Sequence, residues 1–111
     1  MKVSLAGIDA PEDSRTKGNL GQSYSECAKE YLAELVLNKV VDIKGYGLDR
    51  NDYVLGVIFL KGININIEMI RAGLGEVSGE ELPRDFDLGP YRQAQKEAMR
   101  SERGMWSQVK R

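Results

Sequence analysis

Asp9 and Glu12 bracket Ala10-Pro11 at the end of the apolar run Leu5-Ala6-Gly7-Ile8. Two carboxylates three residues apart can hold a hard, oxygen-seeking cation and activate a water for hydrolytic attack. A structural reading fits the same residues, with Asp9 capping a turn and Glu12 paired with Arg15 or Lys17. A hard cation generally takes about six or more oxygen ligands, and only two side chains are visible here. Both readings stay open at this point.

Most other chemistries are closed to this chain. It contains no histidine, so histidine triads, dyads and metal sites are excluded. Cys27 is the only cysteine, which rules out an intrachain disulfide and a thiolate zinc cluster. The serines have no imidazole to activate them. Carboxylate, tyrosine, lysine and arginine chemistry remains, with an oxygen-bound cation if any. The 16 basic and 17 acidic residues give a net charge of −1, without the positive surplus usual in a protein that grips phosphodiesters. A local patch is conceivable at Arg92, Lys96, Arg100, Arg103, Lys110 and Arg111, although charge on a helix more often forms a solvated face.

The elements that must position the carboxylates follow from periodicity and turn chemistry. At 111 residues, 41% hydrophobic and 30% charged, the chain reads as one globular domain over 1–111 with a small core. No apolar run approaches the ~20 residues of a membrane span, and the start lacks a signal peptide's apolar stretch, so a complete chain would be cytoplasmic. Apolar alternation at Val3, Leu5 and Gly7 predicts a strand over 2–9. Pro11 cannot donate to a ladder and pushes Ala10 out of the helical region, so the strand stops near Asp9 with both acids at its exit.

Residues 12–22 form a polar loop, and Ser23 with Glu26 forms a capping box. Tyr24, Cys27, Ala28, Tyr31, Leu32 and Leu35 then share one helical face that ends near Asn38. Val40–Lys44 and Val54–Leu60 read as a hairpin with a long loop, and Lys61-Gly62 turns the chain. Asn66 is expected to cap a short helix with Ile67, Met69 and Ile70 inward and Gly73 at its end. Leu74–Val77 reads as a short strand and 78–88 as a surface loop. Pro90 opens a final helix facing inward through Tyr91, Ala94, Ala98 and Met99, after which Met105 and Trp106 fold back onto the core. The order is that of an α+β protein.

The segment Gly7-Ile8-Asp9-Ala10-Pro11-Glu12 resembles the strand-exit motif of staphylococcal-nuclease-like (thermonuclease) domains. The likeness continues in order through 24–40, Gly45-Tyr46-Gly47-Leu48-Asp49-Arg50, 54–62, 65–74 and Arg103-Gly104-Met105-Trp106, covering nearly the whole chain. It implies a five-stranded OB-fold β-barrel with three helices, and descent from calcium-dependent phosphodiesterases of DNA and RNA. By resemblance, Asp9 is a calcium ligand, Ala10 supplies a carbonyl ligand beside it, and Glu12 orients or deprotonates the attacking water. Tyr46, Tyr53 and Arg50 are the residues expected at the substrate groove, the tyrosines as stacking surfaces and the arginine as a phosphate contact or a solvated loop residue.

The chain departs from the family pattern in two ways. The motif normally follows a hairpin whose turn supplies another metal-binding aspartate, whereas this sequence begins at the third strand. The barrel is therefore expected to be incomplete at its first hairpin, with an exposed edge. A preceding segment, another chain or a covering loop could remedy this; in a self-contained protein a homodimer or swap through the open sheet edge is expected. In addition, Ser4 and Tyr53 stand where the family places its two catalytic arginines. Bidentate guanidinium contacts stabilise the charge that develops on phosphate oxygens, so activity is expected to be weak or lost. A non-catalytic module binding nucleic acid or protein, and an accessory protein of the bacterial cell envelope or polysaccharide pathway, are the alternatives.

Overall fold

The computed structural model describes residues 2–9, 24–79 and 82–108. In chain order they form β1 (Val3–Leu5), β2 (Ile8–Asp9), α1 (Tyr24–Val36), β3 (Asp42–Leu48), β4 (Val54–Leu60), β5 (Ile63–Asn64), α2 (Ile65–Arg71), β6 (Glu76–Val77) and α3 (Gly89–Arg100). A 3-10 helix, Gly104–Gln108, follows. The layout is the expected α+β one with three helices. The 12–22 loop, the Ser23 cap, Lys110 and Arg111 lie outside the described residues.

The strongly apolar β4 is the hub of the larger sheet. It pairs in parallel with β1 (Val3↔Val54, Leu5↔Gly56) and antiparallel with β3 (Asp42↔Phe59 through Gly45↔Gly56). It also pairs antiparallel with β5 across a two-residue turn at Lys61 and Gly62, both at positive φ as a tight hairpin requires. β2 and β6 form a separate antiparallel pair, Ile8↔Val77 and Asp9↔Glu76. The arrangement is compatible with an OB-type fold, but the barrel is not closed among the described residues, because β1 and β3 end the sheet.

Several strand boundaries differ from expectation, among them the last strand, which runs over Glu76–Val77 rather than Leu74–Val77. The 2–9 strand breaks at Ala6-Gly7, where Gly7 takes φ 84° and hands the chain from one sheet to the other. A side chain at Gly7 would run into the rings of Phe86 and Tyr91, so only glycine fits this turn. The first strand of the hairpin runs over Asp42–Leu48 rather than Val40–Lys44, because the ladder to β4 continues past the glycines through an irregularity between Gly45 and Leu48.

α2 corrects another expectation. Its N-cap is Asn64, whose Oδ1 accepts from the Ile67 amide at 3.0 Å, and not Asn66. Asn66 lies in the first turn and is completely buried. Its Nδ2 donates to the carbonyls of Ala6 (2.9 Å) and Gly56 (3.1 Å), and its Oδ1 accepts from the Ile58 amide (3.2 Å). One side chain thus ties the end of β1, the middle of β4 and α2, the buried polar amide being itself fully hydrogen-bonded.

The core has two centres. Tyr24 and Ala28 of α1 pack with Met69, Leu74 and Met105, flanked by Cys27, Tyr31, Leu32, Leu35 and Trp106, as the α1 periodicity predicts. Ile70 packs with Tyr91 and Ala94 of α3. Met99 instead points outward, at 46% exposure, because buried Tyr91, Ala94 and Ala98, spread over about two turns, already fill the inner face. Gly73, at φ 77°, ends α2 as expected and lets the turn before the 3-10 helix approach closely enough for the Met105 amide to reach the Gly73 carbonyl at 3.0 Å. Arg71 joins Glu68 (2.7 Å) and Glu97 (3.3 Å), linking α2 to α3 at a half-exposed site. Among the described residues no helix is long and apolar enough to cross a membrane.

Candidate functional site

Asp9 is the described half of the motif that opened the sequence analysis. It is the last residue of β2, and its side chain is exposed. Its antiparallel partner is Glu76, so two carboxylates stand directly opposite each other, where like charges repel. Glu76 carries no signal in the sequence that would pair it with Asp9, because the link depends on the β2–β6 register. Ala10 and Glu12 lie outside the described residues. Among the described residues no cluster of three metal-ligating side chains comes together. The donor set described here therefore falls short of a calcium cage, which needs about six oxygens or more.

The other site residues gather around the β3–β4 loop. Asp49 follows β3, and its Oδ1 accepts from the amides of Asn51 (2.8 Å) and Tyr53 (3.0 Å) while its own amide donates to the Tyr53 carbonyl (2.9 Å). This is the side-chain-closed turn that aspartate favours, and Asp52 at φ 63° completes it. Ser4 of β1 lies near the same carboxylate. Asp49 is held below the ordinary carboxylate value chiefly by the Tyr53 amide; desolvation opposes this, and the Asn51 amide, the Ser4 hydroxyl and the charge of Arg50 add to the lowering. Ser4, Arg50 and Tyr53 are therefore brought together, with an anion at their centre. That anion was missed in the sequence, where Asp49 read only as part of a turn.

Tyr53 is 37% exposed, and Lys2 Nζ stands 5.4 Å from its ring centroid. Tyr46 is separately placed on β3. Its ring meets Phe86 edge-on at 5.0 Å, Phe86 in turn packs on Tyr91 at 5.3 Å, and Lys44 Nζ stands 5.1 Å from the Tyr46 centroid. The Phe86 and Tyr91 rings cover Gly7, two residues before Asp9. Tyr91 is anchored by Asn64 Nδ2 at 3.2 Å, and burial raises its phenol above the ordinary value, keeping it a neutral acceptor. Phe86 is absent from any sequence reading of the site because it lies in the 78–88 loop without periodicity. Arg92, Lys96, Arg100 and Arg103 are all exposed. An apolar cavity of 270 Å³ between β1, α1 and α2 is lined by Leu5, Ile8, Ala28, Leu32, Met69 and Leu74, with Ser4 and Lys29 its polar contacts. So few converging polar groups make it packing space beside the sheet rather than a reaction centre.

Comparison with known proteins places this geometry. The family model for the staphylococcal nuclease homologue matches residues 2–108. The protein named "Uncharacterized endonuclease" of Haemophilus influenzae is 33% identical over 96% of this chain and 54% of its own length. Proteins named "Probable endonuclease LCL3" from Komagataella phaffii and Paracoccidioides lutzii are each 32% identical over 96% of this chain, covering 49% and 33% of their own lengths. The chain thus spans between a third and about half of these relatives. A match running from β1 through the closing 3-10 helix leaves one conclusion: the chain belongs to the staphylococcal nuclease family.

Proposed function

We propose that this chain is a nuclease-descended domain in which hydrolysis of DNA or RNA is weak or lost. One observation carries the reading: the two positions where the family uses arginine hold Ser4 and Tyr53, which bring no positive charge, and the carboxylate of Asp49 lies beside both, accepting from the Tyr53 backbone amide. A carboxylate at the meeting point of those positions repels the phosphate that two guanidinium groups would grip. Each lost donor costs on the order of 10²–10³ in rate by analogy with oxyanion-hole deletions. In this reading Asp9 and the Ala10 carbonyl are remnants of a calcium site and Glu12 is the remnant base. Arg50, Tyr46 and Tyr53 border the groove where a nucleic acid would lie. The names of the relatives support the substrate class.

The test is digestion of plasmid and of single-stranded DNA and RNA, with calcium and with chelator, by the wild type and by Glu12→Gln. Products at the level of a protein-free control for both proteins are expected. Brisk calcium-dependent turnover by the wild type, abolished by Glu12→Gln, would overturn the reading; a trace of such cleavage is the weak activity it allows.

A binding role is the second reading, favoured by the two tyrosines that each carry a lysine ammonium over the ring, Tyr53 with Lys2 and Tyr46 with Lys44. Ring and cation together suit a stacked base and its phosphate. Anisotropy of a labelled single strand, with Tyr53→Ala and Tyr46→Ala as comparisons, checks it.

A further inference from the structure

We propose that the outward face of α3 docks the sugar-phosphate backbone of a nucleic-acid duplex through Arg92, Lys96 and Arg100. These residues recur every four positions, so they stand one above the next, about 6 Å apart along the helix. All three are exposed, whereas Tyr91, Ala94 and Ala98 bury the opposite face. Gln93 stands on the outward side with them and can donate to a phosphate oxygen. The helix has one carboxylate, Glu97, and Arg71 of α2 draws it aside at 3.3 Å. Among the described residues no ion pair occupies Arg92, Lys96 or Arg100. The row is thus a concentrated positive strip on a chain whose net charge is −1.

Helix stability does not account for this strip. Like charges four residues apart repel, and the row contains that pair twice. Arg92 closes the first turn, where the helix dipole favours anions and where no acidic residue stands. Only Arg100, in the last turn, is placed as the dipole prefers. A polyanion seated on the row turns this repulsion into attraction.

The rest of the face selects the occupant. Met99, at 46% exposure, is the one large apolar side chain that α3 exposes. A protein interface is built around an apolar and aromatic centre, and a membrane-surface helix inserts Trp, Phe or Leu. The face supplies neither. It carries no aromatic ring, so the bases of a single strand find nothing to stack on. A duplex keeps its bases inside and presents one charge per about 1.7 Å of its axis, which a straight row of cations meets without a groove. The guanidinium forks of Arg92 and Arg100 take phosphate oxygens in pairs, and Lys96 acts as a point charge between them. Such contacts position a duplex without reading its sequence. The docking goes beyond the loss of hydrolysis proposed above and does not depend on it.

Anisotropy of a labelled 20-base-pair DNA duplex, titrated in chelator between roughly 20 and 150 mM salt, tests the proposal apart from any cleavage. The wild type is expected to bind the duplex more tightly than the matching single strand. Its affinity should fall with a log–log salt slope near −2.7, as about three phosphate contacts require. Arg92→Gln/Lys96→Gln/Arg100→Gln should weaken binding at 20 mM salt at least tenfold and bring the slope near zero. Lys29→Gln/Lys39→Gln/Lys61→Gln removes the same charge from exposed positions elsewhere and should retain most of the affinity and the slope. Circular dichroism checks that each variant is folded. If the α3 triple variant fails to fold, Lys96→Gln alone decides, with an expected slope change of about 0.9. No duplex binding by the wild type at 20 mM salt, a folded α3 variant that binds as the wild type does, equal losses in the two triple variants, or tighter binding of the single strand would each overturn the proposal. So would binding of a polyglutamate peptide or an anionic lipid vesicle to the wild type more tightly than the duplex.

Discussion

Asn66 and Asn64, two residues apart, do opposite work, and substitution should separate them. Asn66→Ala removes the side-chain partner of the Ala6 and Gly56 carbonyls and of the Ile58 amide, of which Gly56 keeps the Ala6 amide. It should cost about 3 kcal/mol. Asn64→Ala removes a cap on a half-buried helix start and should cost about 1 kcal/mol. Urea unfolding midpoints compare them directly. The sequence reading gave the cap to Asn66, because both asparagines stand at the start of the same apolar helix and only the position of β1 and β4 behind α2 tells which one turns inward.

At Asp49 the lowered carboxylate has a pH consequence. Its folded-state value is below the ordinary 3.8, so the charged form is the one the loop prefers. The ordering it gives the loop is fully present above the ordinary value and is lost as pH falls through the lower folded-state value. The amide shifts of Asn51 and Tyr53, followed by NMR, should titrate together with a midpoint below 3.8; a midpoint at or above it would contradict the assignment. Asp9 and Glu12 could be singled out from residue type and spacing. Asp49 and Glu76 could not, since what they do depends on the partners that folding sets against them.

At the scale of elements, the α1 and α3 faces were legible because a 3.6-residue period marks a buried stripe regardless of what covers it. Strand ends were less so. The 2–9 alternation continues through Gly7, and nothing in the alternation says that the chain changes sheets there. The β3 ladder runs on through glycines that ordinarily signal a loop. Gly73, in contrast, announced itself as a helix terminator, and its closeness to Arg103 adds a constraint the sequence did not contain. Gly73→Ala places a Cβ both at positive φ and against the Arg103 carbonyl. It should lower stability by at least about 1–3 kcal/mol. Thermal melts monitored by far-ultraviolet circular dichroism would measure the loss, and an unchanged melting temperature would show that the turn can move aside.

Across the whole molecule, the fold class was readable from the order of elements. The absence of a charge surplus has its own consequence. With a net charge of −1, few phosphates can be neutralised, and the affinity for nucleic acid should come from local cations alone. Binding of a labelled single-stranded oligonucleotide is expected to be detectable only near 20 mM salt, on the order of 10⁻⁴ M or weaker, and to vanish by about 150 mM. Anisotropy titrations at the two salt concentrations check this, and binding that persists at the higher one would mean that a concentrated basic groove exists.

The indole of Trp106 packs beside Tyr24, Ala28, Met69, Leu74 and Met105, where α1, α2 and the closing 3-10 helix meet. It is the chain's one tryptophan. The protein thus carries an intrinsic fluorophore at the seam most dependent on contacts between its two ends. Emission should move to longer wavelength when that seam loosens, while ellipticity still reports the helices themselves. A difference between the two signals during denaturation would reveal whether the α1 side opens before the rest.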